Sequence, residues 1–107
     1  MYSFEDLKIG NSYIEKRKVS EKMIKNFSNA SGDKNPIHLD EKFAKKTIFQ
    51  GKIAHGLLIG SFISSVIGNK FPGPGTIYVS QNLMFKRPVS INDTVVVKVS
   101  VKKKIKK

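Results

Sequence analysis

The feature that most constrains the fold of this sequence is one apolar stretch, IAHGLLIGSFISSVIG, at residues 53–68. A helix over this stretch is hydrophobic on nearly every side, so in water the rest of the chain must bury it. Its small residues, Gly60, Ser61, Ser64 and Ser65, let another element approach closely. Because a membrane span needs about 18 apolar residues, the stretch predicts the buried central helix of a globular domain.

The rest of the sequence predicts helices and strands around this central helix. Turn residues, helix caps and hydrophobic spacing predict a strand at residues 12–19, helices at 21–30 and 40–46, and strands at 76–87 and 94–105. The two strands after the central helix are joined by a short turn, which is typical of an antiparallel sheet. We therefore expect the α+β class, as a single domain over residues 1–107.

Composition excludes several classes of protein. An apolar fraction of 39% and an aromatic fraction of 9% are too high for a disordered chain. The absence of cysteine excludes disulfide frameworks, thiol chemistry and cysteine-ligated zinc. Acidic residues stand near the N-terminus where a signal peptide has basic and then apolar residues, so we expect a cytoplasmic protein without a membrane partner.

A formal net charge of +12 raises the question of a nucleic-acid partner. Of the 20 basic residues only Arg17 and Arg87 are arginine, the residue that favours base reading and bidentate phosphate contacts. Six lysines fall in the last ten residues, so half of the surplus charge is a basic tail. We interpret the charge as solvated surface and expect no specific nucleic-acid partner.

Both histidines of the sequence fall close to one aspartate, Asp33, in the window before the central helix. Pro36 fixes its own φ and keeps Asn35 extended, so the chain must bend between Asp33 and His38. A bent loop can aim the carboxylate and the imidazole at one point, where the pair can move a proton on and off water. The same residues are also compatible with a purely structural hydrogen bond.

Gly56 stands where the central helix is expected to begin. Backbone N–H groups at a helix N-terminus have no partner within the helix and carry the positive end of its dipole, so Gly56 can donate to a developing oxyanion. Glycine there also lets a ligand carbonyl come close. A tight turn into the helix is the alternative explanation of this glycine.

The run SGDKNPIHLDEKFAKKTIFQGKIAHGLL closely resembles the signature of the MaoC-like, (R)-specific enoyl-CoA hydratases, which have the hot-dog fold. FEDLKIGNSY is similar to the usual opening of that family, and PGPGTIYVSQNLMFKRPVSINDTV is similar to its strand pair joined by a Pro-Val turn. The resemblance covers nearly the whole chain. It implies a sheet wrapped around a long central helix, and a homodimer.

The resemblance also implies an activity, a hydro-lyase reaction of fatty acid metabolism that uses no metal or redox cofactor. Asp33 and His38 would hold one water that adds to trans-2-enoyl-CoA and gives (R)-3-hydroxyacyl-CoA, with the division of proton transfer between them left open. The N–H of Gly56 would donate to the thioester carbonyl. Ser64 holds the register of a further site serine, although a serine in a helix often bonds back to its own backbone.

Secondary roles follow for residues around this pair. Asn35 supports the turn beside the substrate, and Lys86 and Arg87 are candidates to bind the phosphates of CoA. Asp40 is interpreted as a site residue or a helix cap, and His55 as a residue that packs or orients the loop, with contact to the substrate as the alternative. The rival functions are an acyl-CoA thioesterase of the same fold and an inactive acyl- or nucleic-acid-binding remnant.

The end of the chain departs from the family pattern, because the hot-dog domain of the family continues for further strands beyond this point. A fragment, a shortened natural gene and a sheet completed by a partner chain are three explanations. An unpaired strand edge invites association, which the terminal lysines would reduce.

Overall fold

The computed structural model describes residues 2–106; Met1 and Lys107, the ends of the predicted domain, lie outside the described residues. The elements are strand β1 (Ser12–Lys18), helices α1 (Glu21–Ser31), α2 (Pro36–Leu39), α3 (Glu41–Lys45) and α4 (Gly56–Asn69), and strand β2 (Thr94–Ser100). Strands β1 and β2 pair antiparallel, with Ser12 opposite Ser100 and Lys18 opposite Thr94. Helix α4 packs against β2. The predicted α+β class is therefore confirmed.

Helix α1 begins and ends at the residues that local chemistry favours. The Ser20 hydroxyl accepts a hydrogen bond from the Met23 N–H at 3.2 Å, which satisfies one of the unpaired donors of the first turn. Gly32 ends the helix at a φ of 80°, and its N–H donates to the Ser28 carbonyl. Ile24 and Ser28 are the buried residues of this helix, so its apolar side faces the core.

Helix α4 supplies the centre of the core through one of its sides. Leu58, Phe62 and Val66 recur every four residues and are buried together with Val97 of β2. The expectation of burial on every side is wrong for the described part of the chain, since Leu57 is 58% exposed. The reason is that β1 and β2 cover only one side of the helix.

Helix α4 begins at Gly56, where the sequence predicts its start, and residues 53–55 before it are extended. The N–H of Ala54 donates to the Val89 carbonyl at 2.7 Å, and Ile53 forms an isolated antiparallel bridge with Ser90. These backbone bonds compete with helix formation, so the helix starts at Gly56. The extended segment, residues 53–55, places the functional residues described below.

The predicted strand at residues 76–87 is wrong. Its backbone pairs with no other strand among the described residues, and Ile77, Val79 and Met84 are 80%, 89% and 77% exposed. β-branched and aromatic residues favour extended backbone, but a strand exists only when a partner supplies the ladder of hydrogen bonds. Strand β2 ends at Ser100 instead of residue 105 for the same reason, since β1 pairs with it only as far as Ser12.

No helix among residues 2–106 is long and apolar enough to cross a membrane.

Two glycines test the account of the helix ends. Gly32→Ala should lower the free energy of unfolding by about 1 kcal/mol, because a side chain is strained at its positive φ. Gly68→Ala is the matched control. Gly68 lies inside α4, and a Cβ there meets nothing within 4 Å. We therefore expect Gly68→Ala to raise the free energy of unfolding by about 0.5–1 kcal/mol. Urea unfolding followed by circular dichroism measures both, and equal effects would contradict this account.

Candidate active site

The loop between α1 and α2 is bent by two consecutive side-chain to backbone hydrogen bonds. Asp33 Oδ1 accepts from the Asn35 N–H at 3.2 Å, and Asn35 Oδ1 accepts from the Ile37 N–H at 3.1 Å. Pro36 occupies the first turn of α2, where its missing N–H costs nothing. Asn35 therefore caps a helix and shapes the turn. The bend turns His38 back towards Asp33.

His38 is held by its Nδ1, which lies 2.7 Å from the Ile53 carbonyl oxygen. A carbonyl oxygen only accepts, so Nδ1 carries the proton and donates. In the neutral ring Nε2 is then left with a lone pair, the form that a proton acceptor needs. The side chain is half-buried, and its tautomer is set by a residue fifteen positions away in the sequence.

Asp33, His38 and His55 form one cluster. One carboxylate oxygen and one nitrogen of each ring lie within 4.8 Å of one another. Asp33 is exposed, His38 is half-buried and His55 is only 2% exposed, so the cluster runs from the surface into the core. The structure thus brings together the two side chains for which the sequence predicted a shared water.

His55 lies beneath this pair. Its Nε2 is 3.0 Å from the Ser28 hydroxyl and 3.1 Å from the backbone carbonyl oxygen of Asp33. Its ring lies against that of His38, with centroids 3.8 Å apart and the planes tilted by 30°. The centroid of the Phe27 ring lies 4.8 Å from that of His55. Sequence reasoning missed Ser28. A signal was available, because Ser28 lies four residues after the buried Ile24, where the apolar side of α1 calls for a hydrophobic residue.

Gly56 begins α4 directly after His55. A Cβ at this position would lie 2.9 Å from two ring carbons of Phe85, so only glycine fits without movement of that ring. Among residues 2–106 no backbone carbonyl accepts from the Gly56 N–H, whereas the His55 carbonyl accepts from Leu58 and Ile59. The N–H of Gly56 is therefore a free donor at the positive end of a 14-residue helix.

The remaining predicted residues line two cavities. Ser64 is exposed and lines a separate cavity of about 230 Å³ with Gly60 and Tyr78. Lys86 and Arg87 line another cavity, of about 340 Å³, which includes Ile53 and Phe49.

Two charged residues near the site have structural roles. Asp40 is a helix cap, since its carboxylate accepts from the Phe43 N–H at 3.1 Å. Lys52 precedes the extended segment, and its Nζ lies 2.6 Å from Oε1 of Glu21 at the start of α1. The hydrogen bond and charge of Lys52 lower the pKa of the Glu21 carboxyl. The extended segment is thus tied to α1 as well as to residues 89–90.

The donor set of the cluster, two imidazoles and a carboxylate, is one that divalent metals accept. His38 Nδ1 and His55 Nε2 already take part in hydrogen bonds, so the second nitrogen of each ring and the Asp33 carboxylate are the atoms that such an ion could use. The centroids of the two rings lie 3.8 Å apart and their planes are tilted by 30°.

The structure therefore combines an antiparallel strand pair packed on a long helix with a cluster of Asp33, His38 and His55, the last of which directly precedes the glycine that begins that helix. The chain belongs to the MaoC-like domain family, whose model matches residues 7–107.

Relatives of known name agree with this assignment. The chain is 49% identical over 98 residues to a 3-hydroxybutyryl-CoA dehydratase of Methylorubrum extorquens, covering 92% of this chain and 62% of that protein. It is 48% identical to an (R)-specific enoyl-CoA hydratase of Rhodospirillum rubrum, covering 94% and 70% of the two chains. The unliganded R-hydratase of Pseudomonas aeruginosa superposes with a TM-score of 0.91 at 40% identity, and the match covers 95% of this chain and 66% of that one. The chain therefore has the hot-dog fold and spans about two thirds of the length of these relatives.

The contact between Gly56 and Phe85 can be tested by stability. Gly56→Ala should lower the free energy of unfolding by about 1–3 kcal/mol, because the new Cβ overlaps the Phe85 ring. In a Phe85→Ala background the same change should cost much less, which a double-mutant cycle measures. Gly60→Ala is the control. Its Cβ meets only a terminal methyl of Leu83, at 3.2 Å, so a cost as large as that at Gly56 would contradict the interpretation.

Proposed function

We propose that this chain carries an (R)-specific enoyl-CoA hydratase activity, which adds water to trans-2-enoyl-CoA to give (R)-3-hydroxyacyl-CoA. The observation that carries the proposal is the Asp33 and His38 pair, held together with the His38 Nε2 free to accept a proton. The names of the relatives support the same reaction, since hydratases and dehydratases of this kind catalyse one equilibrium in opposite directions.

The residues perform the reaction as a pair around one water. Asp33 and the Nε2 of His38 accept hydrogen bonds from the water, and one of them takes its proton as the oxygen attacks Cβ. The electron pair of the double bond moves to the thioester carbonyl, where the Gly56 N–H and the dipole of α4 stabilise the negative charge. The proton held by the pair is then delivered to Cα. The proposed steps use the two side chains and the Gly56 N–H, without a metal or redox cofactor.

The CoA portion of the substrate is proposed to bind beside the extended segment. Lys86 and Arg87 carry two positive charges at a cavity of about 340 Å³ that is lined with apolar residues, Phe49 and Ile53 among them. CoA has negatively charged phosphates, which suit the two basic residues, and a pantetheine arm, which can pack against the apolar lining. Ile53 also accepts the hydrogen bond from His38, so this cavity adjoins the residue that holds the proton acceptor.

A homodimer is proposed as the active form. Residues 76–87 form no helix and pair with no strand among the described residues, and they carry strongly exposed apolar side chains, including Ile77 and Val79. An edge of this kind pairs readily with a second copy, which would bury those side chains. Light scattering should give twice the chain mass of 12.0 kDa, and a Val79→Lys variant should shift the mass towards the monomer. A wild-type monomer at micromolar concentration would contradict the proposal.

Loss of the proposed pair should abolish hydration. Asp33→Asn and His38→Ala should each lower kcat for crotonyl-CoA by about 100-fold or more, because each removes a proton acceptor from the water. The loss of enoyl absorbance measures the rate. Asp40→Asn is the matched control. Asn caps a helix as well as Asp does, so its activity should stay near that of the wild type. Release of free CoA thiol without formation of 3-hydroxyacyl-CoA would indicate a thioesterase and contradict the proposal.

Removal of the basic side chains of Lys86 and Arg87 should weaken substrate binding and leave the rate of the chemical step nearly unchanged. The Lys86→Ala, Arg87→Ala double variant should raise KM for crotonyl-CoA by about 10-fold with kcat little changed, since the charges act on CoA at a distance from the reacting atoms. A double variant of Lys16 and Lys18 to alanine, on β1, is the control for lost charge. An equal rise in KM for both variants would show that net charge alone is responsible.

A further inference from the structure

We infer that His55 is a positioning residue that sets the places of both Asp33 and His38 through its one buried ring. The inference rests on the proposed function, because it assigns a role within the same site. His55 is 2% exposed, so it does not contact the substrate itself.

The hydrogen bonds of His55 define its tautomer. The Asp33 carbonyl oxygen lies 3.1 Å from Nε2 and only accepts, so Nε2 carries a proton and donates it. With a bare Nε2, its lone pair and that of the carbonyl would face each other without a proton between them. The Ser28 hydroxyl oxygen, at 3.0 Å, therefore shares the same N–H as a second acceptor.

The other nitrogen of the ring has no such partner. Nδ1 of His55 is buried and makes no hydrogen bond to any described residue. With Nε2 protonated, Nδ1 of the neutral ring is a bare acceptor, and a buried acceptor without a donor opposes folding. A hydrophobic residue of similar size would remove this cost. The histidine offers two contacts in return, because its Nε2–H and its ring face are both in use.

The ring face of His55 confines His38. The centroids of the two rings lie 3.8 Å apart, and the Phe27 ring packs against His55 with a centroid distance of 4.8 Å. His38 is also held at its edge by the Ile53 carbonyl. Face and edge contacts together leave the His38 ring little freedom to rotate, so its Nε2 keeps one direction relative to the Asp33 loop.

His55 thus joins both members of the pair. Its N–H holds the backbone of Asp33, its face holds the ring of His38, and the next residue, Gly56, begins α4. Displacement of this ring moves the carboxylate and the imidazole relative to each other. A displacement of about 1 Å is enough to slow a reaction that needs both groups on one water.

Two variants separate the donor from the ring. His55→Gln keeps an N–H near the position of Nε2 but loses the ring, whereas His55→Phe keeps a ring under His38 but loses the donor. We expect His55→Phe to lower kcat for crotonyl-CoA by about 10- to 100-fold with KM within about twofold, and His55→Gln to recover a substantial part of kcat. Circular dichroism confirms that each variant is folded. A wild-type kcat in His55→Phe, or no recovery in His55→Gln, would overturn the inference.

Ser28→Ala is the matched control within the same buried site. It removes one acceptor from the His55 N–H and leaves the bond to the Asp33 carbonyl. Its kcat should therefore stay within about twofold of the wild type. A loss as large as that of His55→Phe would mean that any disturbance of this part of the core slows the reaction, which would overturn a specific positioning role.

A readout independent of activity is the ¹⁵N NMR spectrum of the imidazole rings. In the wild type His55 should show a protonated Nε2 and a bare Nδ1, and His38 should show the opposite tautomer. A protonated Nδ1 in His55 overturns the inference even when neither variant folds. If the wild type does not hydrate crotonyl-CoA, the proposed function fails while the spectrum still decides the arrangement of His55. An active wild type with an unaffected His55→Phe rejects the positioning role alone.

Discussion

The hydrogen bond from His38 Nδ1 to the Ile53 carbonyl, 2.7 Å long, is the interaction on which the rest of the site depends. It joins the loop that carries the predicted proton acceptors to the extended segment that leads into α4. That segment is in turn fixed by the bond from Ala54 to Val89 and by the ion pair of Lys52 with Glu21. The Ile53 carbonyl oxygen therefore sets the tautomer of His38. It also links His38 to a segment that is itself bonded to Val89 and, through Lys52, to α1.

The start of α4 shows how fold and chemistry constrain the same residue. Gly56 must lack a side chain because the Phe85 ring occupies the space where a Cβ would lie. The same position leaves its N–H without a backbone acceptor among the described residues. A glycine required for packing is thus also a donor available to a ligand. Phe85 belongs to residues 76–87, so a segment that is largely exposed still helps to shape the site.

The parts that the sequence predicted well depend on neighbours in the chain. Ser20 and Gly32 bound α1 through bonds to residues three or four positions away. The turn at Asn35 forms through bonds that span two positions. Residues 76–87 were predicted as a strand and are not one, because pairing depends on a distant partner that propensity does not reveal. The apolar stretch begins at residue 53, but α4 starts at Gly56 because the Ala54 N–H donates to the Val89 carbonyl.

The fold class, the bend between Asp33 and His38, and the residue types that make acid–base chemistry possible there can all be predicted from the sequence. The way in which those residues are held depends on tertiary contacts. The contacts that hold them join His38 to Ile53, fifteen positions apart, and Asp33 to His55, twenty-two apart. Local preferences act over a helical turn or a short loop, whereas these contacts exist only after α1, the extended segment and α4 have packed together. For that reason the sequence predicts the composition of the site, and the packing of the core sets its geometry.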